Sequence, residues 1–129
     1  MIARPVRWQA VRRVAEGKRF ACLAAGFLLA LPAMAQDAVD TGRRVFANPD
    51  KGNCIACHLV PADASLKSFS RIGPSLADVK TRIPDRARLR AIVWDPVAGQ
   101  PNTVMPPYGR NRILTEAEID AVVAYLETL

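Results

Sequence analysis

The chain has 129 residues, half of them apolar, which is enough for one folded domain and too few for two; this composition excludes a disordered or fibrous protein. The net charge of +6 is compatible with a nucleic-acid ligand, but the excess of positive charge is concentrated at the N-terminus. Residues 1–35 contain six basic residues and one acidic residue, whereas residues 36–129 contain twelve basic and eleven acidic residues. The main part of the chain is therefore nearly neutral, and no nucleic-acid partner is expected.

The first 35 residues are predicted to be a cleaved export signal. A basic stretch precedes the apolar run Phe20–Leu31, and Ala33-Met34-Ala35 fits the small-x-small cleavage pattern before Gln36. A retained membrane anchor is the alternative, but the apolar run is shorter than the roughly 20 residues that a spanning helix needs. We therefore predict a signal peptide at residues 1–35 and a mature periplasmic domain at residues 36–129.

The first helix of the mature domain is predicted at residues 40–47, and a turn then leads into Cys54-Ile55-Ala56-Cys57-His58. This C-x-x-C-H pattern is the signature of covalent c-type haem attachment. Two thiols one helical turn apart can each add to one vinyl group of the haem, and His58 can then bind the iron. The haem would also become part of the hydrophobic core, which is otherwise too small in an exported domain of this size without a stabilising disulfide.

Two other kinds of site use closely spaced cysteines. A thioredoxin-like redox pair requires a βαβ context, and the sequence has no strand-like alternation. A zinc site needs about four ligands, and the predicted mature chain has no further Cys or His. Covalent haem on Cys54 and Cys57 is therefore the favoured interpretation.

After the motif, residues 59–72 are predicted to form a loop. In the Gly73-Pro74 turn that follows, the carbonyl oxygen of Pro74 is predicted to accept the Nδ1–H of His58 and so orient the ring; an ordinary turn without this bond is the alternative. A helix over residues 84–94 and a second loop over residues 96–104 come next.

Met105 is predicted to be the second axial ligand of the haem iron. His58 is the only histidine of the chain, and Met1 and Met34 belong to the predicted leader. Two prolines after Met105 stiffen the segment, and a His/Met pair is a standard cytochrome c arrangement. The alternative is that Met105 only fills a gap in the core.

The last helix has the clearest signals. Thr115 and Glu118 are placed for a capping box, and Leu114 and Ile119 for a hydrophobic staple. One apolar face follows, formed by Ile119, Val122, Val123, Leu126 and Leu129. Every predicted element is helical, so the predicted fold class is all-α.

Together these features resemble class I cytochrome c over the whole mature chain. The resemblance rests on C-x-x-C-H, G-P-x-L, the methionine loop and two residue pairs in the terminal helices, Gly42 with Phe46 and Tyr125 with Leu126. It implies helices packed around one covalent haem c, with the first and last helices crossing where these two pairs meet.

The stretches VWDP and MPPYGRN also resemble the SoxX family, the small monohaem subunits of SoxAX complexes. This resemblance implies three partners: a SoxA-like cytochrome subunit, a SoxYZ-like sulfur carrier reached through the complex, and a small cytochrome c electron acceptor. The chain would accept the electrons released when thiosulfate is coupled to a cysteine of the carrier. It would thus be the non-catalytic, electron-transfer subunit of an L-cysteine S-thiosulfotransferase.

Two other functions remain open. A freestanding periplasmic electron shuttle would use the same haem without a permanent partner. A haem enzyme or gas sensor would need an open iron site, which the predicted Met105 ligand disfavours.

Overall fold

The computed structural model describes the backbone of residues 20–129 and the side chains of residues 34–129. The chain divides after Leu31, and Pro32–Leu129 forms one compact unit that contains all of the predicted site residues. Most of the predicted signal peptide lies outside the described residues, so its cleavage stays a prediction. Over the part that is described, no helix combines the length and the apolar character needed to cross a bilayer.

The described residues contain five helices and no strand. The helices are α1 (Phe20–Ala47), α2 (Val79–Arg82), α3 (Arg86–Trp94), α4 (Pro96–Gly99) and α5 (Glu116–Leu126), and a 3₁₀ turn covers Cys54–Ala56. α1 ends at Ala47 as predicted but begins well before residue 40. No glycine or proline lies between residues 33 and 41, so nothing in that stretch disfavours the helix.

α3 lies within the predicted helix over residues 84–94, and α5 begins at its predicted cap. The Asp85 carboxylate accepts the backbone N–H groups of Ala87 and Arg88 at 2.8 and 3.2 Å. Thr115 and Glu118 form the predicted capping box at α5. These bonds satisfy amide groups that a helix start otherwise leaves without partners.

The prediction of an unbroken loop over residues 96–104 was wrong. Pro96 does end α3, but it also occupies the first position of the one-turn helix α4. Proline is favoured there because its missing N–H is not needed in the first turn. The single turn α2, which was not predicted, buries Val79.

The predicted crossing of the first and last helices is confirmed. A Cβ at Gly42 would collide with the backbone of Ala121, so only glycine allows α1 and α5 to approach this closely. One turn further on, the rings of Phe46 and Tyr125 pack edge to face with their centroids 5.2 Å apart. Gly42 therefore lies against Ala121, one turn before the Tyr125 region expected from the resemblance.

Asp63 attaches the loop after the motif to both crossing helices. Arg43 of α1 donates to its two carboxylate oxygens at 2.6 and 3.2 Å, and the Tyr125 hydroxyl of α5 donates at 2.9 Å. The hydrogen bonds from Arg43, with smaller contributions from Ser65 and Tyr125, hold the pKa of Asp63 well below its usual range. The loop is thereby fixed by an ionised carboxylate at neutral pH.

Candidate functional site

The C-x-x-C-H motif lies on the 3₁₀ turn that follows α1. Its position is set by a tight turn in which the Asn53 amide donates to the Asn48 carbonyl at 3.0 Å. Asn53 has a φ of 45°, a left-handed conformation that asparagine adopts more readily than most residues. The His58 amide then donates to the Cys54 carbonyl at 2.9 Å, so the thiols and the imidazole share one short rigid segment.

Cys54 and Cys57 are free thiols and are not joined by a disulfide. Burial raises the pKa of the Cys54 thiol to about 12, which keeps the sulfur protonated at neutral pH. Within the described residues, no three His, Cys, Asp or Glu side chains come together as a metal site of their own. Two unpaired thiols three residues apart are the groups that two thioether bonds require.

The His58 ring is held by the Gly73-Pro74 turn. Its Nδ1 lies 2.8 Å from the Pro74 carbonyl oxygen, and the Gly73 amide donates to the Cys57 carbonyl at 2.9 Å. With the proton on Nδ1, the lone pair of Nε2 is free for a metal. This is the geometry that an orienting role for Pro74 requires, and the role in the loaded protein stays a prediction.

Gly73 has a contact that sequence reasoning missed. A Cβ at this position would lie 2.7 Å from Nδ1 and 2.9 Å from Nε2 of His58, which is closer than real Cβ atoms come. The turn can therefore pack on the imidazole only with glycine at position 73. The available signal was the Gly-Pro pair itself, which indicates a turn but not its neighbour.

Met105 lies in a segment that is fixed on both sides. Its amide donates to the Thr103 hydroxyl at 3.1 Å, and the Tyr108 hydroxyl donates to the Gly52 carbonyl at 2.7 Å. The Tyr108 bond is buried and joins the methionine segment to the turn just before Cys54. Burial raises the pKa of Tyr108 above its usual range, so the hydroxyl stays a donor at neutral pH. Sequence reasoning assigned no role to Tyr108.

The end of α3 supports the same segment. The Gly109 amide donates to the Trp94 carbonyl at 3.0 Å, and a Cβ at Gly109 would lie 2.6 Å from Cζ3 of the indole. The Arg90 guanidinium lies 5.5 Å from the centroid of the Trp94 ring. The indole, which lines the site, is therefore held in one position.

All the predicted site residues line one cavity of about 970 Å³. This volume is at the upper end of the about 300–1,000 Å³ typical of ligand and cofactor sites. The wall includes the predicted haem-binding and orienting residues Cys54, Cys57, His58, Pro74 and Met105. Most of the remaining wall is apolar, contributed by side chains of α1, α3 and α5, as a flat apolar macrocycle requires.

Two arginines, Arg82 and Arg88, add positive charge to this mostly apolar wall, and Arg82 donates to the backbone carbonyls of Ala77 and Ser75. On α3, Arg86 and Arg90 pair with Glu127 and Asp120. Arg88 instead lines the cavity and, among the described residues, forms no side-chain hydrogen bond or ion pair. A guanidinium in this position suits a carboxylate, and haem carries two as propionates. Thiols, imidazole, apolar wall and guanidinium together fit haem c.

Comparisons with known proteins agree with this fit. The family model described as Cytochrome c matches residues 39–129. The structure titled "Crystal structure of SoxXA from P. pantotrophus" has a chain that is 28% identical with a TM-score of 0.62, and the match covers 69% of this chain and 79% of that one. These matches confirm the all-α class I cytochrome c fold and the resemblance to SoxX.

A curated relative gives a partial match. An "Uncharacterized lipoprotein" of Aquifex aeolicus (strain VF5) is 34% identical over 76 residues, which is 59% of this chain and 36% of that protein. The chain therefore spans about a third of the length of this relative.

Proposed function

The chain belongs to the cytochrome c family, and we propose that it is a SoxX-like electron-transfer subunit of a thiosulfate-oxidising complex. Family membership makes it an electron-transfer protein with covalently bound haem c. The observation that supports the finer proposal is the similarity to SoxXA in both sequence and structure. When bound, the haem supplies one-electron oxidation and reduction at its iron.

In this proposal Cys54 and Cys57 would hold the haem through thioether bonds, and His58 and Met105 would bind its iron. The support is that all four line one cavity. The contact between His58 Nδ1 and the Pro74 carbonyl leaves Nε2 available for iron. A thioether ligand raises the reduction potential relative to a second imidazole.

If His58 and Met105 both bound the iron, a substrate would reach the metal only by displacing one of them. Pro106 and Pro107 restrict the backbone after Met105, and the buried Tyr108–Gly52 hydrogen bond opposes movement of the segment. Electrons are therefore exchanged through the mouth of the cavity rather than by chemistry at the metal. The catalytic step belongs to a partner subunit.

The proposed partners follow the SoxX resemblance. A SoxA-like cytochrome forms a heterodimer with this chain, and a SoxYZ-like carrier, reached through the complex, receives thiosulfate on its cysteine. Coupling of thiosulfate to a carrier cysteine is an oxidation that releases two electrons. These electrons pass one at a time through this chain to a small cytochrome c acceptor.

We also propose a periplasmic location after removal of residues 1–35. A lipoprotein among the relatives supports export, since lipoproteins are exported proteins. Mass spectrometry of the exported protein should give residues 36–129 plus one haem. A mass that includes residues 1–35 would instead support a retained anchor.

Reconstitution tests the sulfur-oxidising role. The haem-loaded chain is mixed with the SoxA-like subunit and the SoxYZ-like carrier of the same organism, and haem reduction is followed by visible absorbance after thiosulfate is added. Reduction should require all components, so omission of the carrier is the control. No reduction in the complete mixture would refute the proposal. Electron exchange with a terminal oxidase without any SoxA-like partner would support the freestanding shuttle instead.

A further inference from the structure

The segment between the C-x-x-C-H motif and the Gly73-Pro74 turn exposes large apolar side chains. Phe69 is 86% exposed and Ile72 is 68% exposed. Single exposed apolar residues are common on protein surfaces and mean little by themselves. Here the backbone is anchored on both sides of Phe69, whose exposure lies outside the cavity, whereas Ile72 also lines the cavity.

The backbone of this segment is anchored on the motif at both ends. Ser68 is buried, and its hydroxyl lies within hydrogen-bonding distance of the carbonyl oxygens of Ile55, at 2.9 Å, and His58. At the other end, the Gly73 amide donates to the Cys57 carbonyl at 2.9 Å. We call the four residues between these anchors, Phe69–Ile72, the display loop. These bonds hold both ends of the display loop beside the motif.

Uncompensated positive charge flanks the exposed ring. Lys67 and Arg71 are exposed and, in the described part of the chain, form no ion pair. The sequence has no acidic residue between positions 64 and 77. By contrast, Arg43 and Lys80 pair with carboxylates of the chain itself. The charge around the display loop is therefore complementary to carboxylates on another molecule.

The display loop is continuous with the mouth of the cavity. Ile72 lines the cavity next to the turn that holds His58. Val104 lines it next to Met105 and is 79% exposed. A partner that covers the display loop would therefore also cover the mouth through which electrons are exchanged.

We propose that the display loop is the docking surface for the SoxA-like subunit, which receives Phe69 in an apolar pocket bordered by carboxylates that pair with Lys67 and Arg71. The inference rests on the proposed function, because that function supplies the occupant. Aromatic and arginine side chains carry a large share of the affinity in most interfaces. A preorganised backbone adds to this because little conformational entropy is lost on binding.

Titration calorimetry of the haem-loaded chain with the SoxA-like subunit of the same organism tests the proposal. Phe69→Ala should weaken binding more than tenfold. Arg71→Gln should weaken it less and reduce its dependence on salt, since a surface ion pair is lost. Ile113→Ala, which removes a side chain 40% exposed outside the display loop, and Arg44→Gln should bind like the wild type. Because Phe69 and Arg71 are exposed, unfolding midpoints and spectra should not change.

The possible results are distinct. A wild-type complex that Phe69→Ala leaves equally tight would overturn the docking surface and leave the proposed function intact. Failure of the wild type to bind the SoxA-like subunit would overturn both. Self-association, or binding to vesicles of anionic phospholipid, that Phe69→Ala abolishes would assign the display loop to another occupant and overturn the proposal.

Discussion

Replacement of Gly73 by alanine should test how closely the site depends on its orienting turn. The new Cβ would lie 2.7 Å from Nδ1 of His58 and 2.9 Å from Nε2, so either the ring or the turn must move. Movement of the ring stretches the 2.8 Å contact with the Pro74 carbonyl. Movement of the turn stretches the 2.9 Å bond from the Gly73 amide to the Cys57 carbonyl.

Both routes have a cost that can be estimated. Insertion of an extra methyl group into a packed site costs about 1–3 kcal/mol, and loss of one hydrogen bond adds about 0.5–1.5 kcal/mol. Gly73→Ala should therefore lower the free energy of unfolding by about 2–4 kcal/mol, a large part of the about 5–15 kcal/mol of a typical domain. A displaced imidazole should also bind the iron less well.

Chemical unfolding of the haem-loaded protein, followed by haem absorbance, measures this loss. Gly99→Ala is the control for the glycine-to-alanine change itself, because a Cβ there would meet no atom of the chain within 4 Å, although Gly99 also lines the cavity. That variant should be as stable as the wild type or slightly more stable, since alanine restricts the unfolded chain. Equal stability of the Gly73 and Gly99 variants would refute the reasoning.

Three further substitutions probe other parts of the site. Met105→Ala should remove the weak sulfur-to-iron absorption band of the ferric protein and open the iron to carbon monoxide. It should also lower the reduction potential by more than about 59 mV, which is a tenfold change for one electron. Rapid carbon monoxide binding by the wild type would contradict this prediction. Arg88→Gln should lower the reduction potential by about 30–60 mV, because removal of a nearby positive charge stabilises the ferric iron. Arg90→Gln is the control: it loses ion pairs outside the cavity and should mainly lower the unfolding midpoint. The pKa of Asp63 is depressed in the folded state, so its stabilising contribution is complete above about pH 4 and is lost as the pH falls toward the folded pKa. Asp63→Asn should therefore be less stable at neutral pH and should show a weaker fall in unfolding free energy between about pH 4 and pH 2; an unchanged pH profile would show that the Asp63 bonds contribute nothing.

The residues of the site could be proposed from the sequence because their chemistry is rare in this chain. There is one histidine, one methionine after the predicted leader, and one pair of closely spaced cysteines, so few assignments compete. Helix starts could also be predicted, since the bonds of Asp85 and Thr115 lie within three residues of each cap. Local patterns were therefore sufficient to predict the starts of α3 and α5 and to propose the ligands.

The interactions that hold those ligands join residues distant in sequence. Tyr108 and Gly52 are 56 positions apart, and no local pattern indicates that a tyrosine hydroxyl will reach that carbonyl. The close contact of Gly73 with the His58 ring likewise depends on the path of the intervening loop. Arg88 lines the cavity while Arg86 and Arg90 do not, and this difference depends on how α3 is oriented in the fold. Pro96 was misjudged for another reason: proline ends one helix and starts the next equally well.

The close crossing of α1 and α5 has a consequence for the order of events during biogenesis. Val122 and Leu126 of α5 form part of the cavity wall, although they lie far downstream of the cysteines. A chain synthesised from its N-terminus therefore presents Cys54 and Cys57 before that wall exists. Before α5 docks on Gly42, both thiols lie on an open, partly folded chain; in the folded protein Cys54 is partly buried. We therefore expect the haem to be attached before α5 docks; the thioether bonds would hold it covalently, and closure of the fold would then cover it.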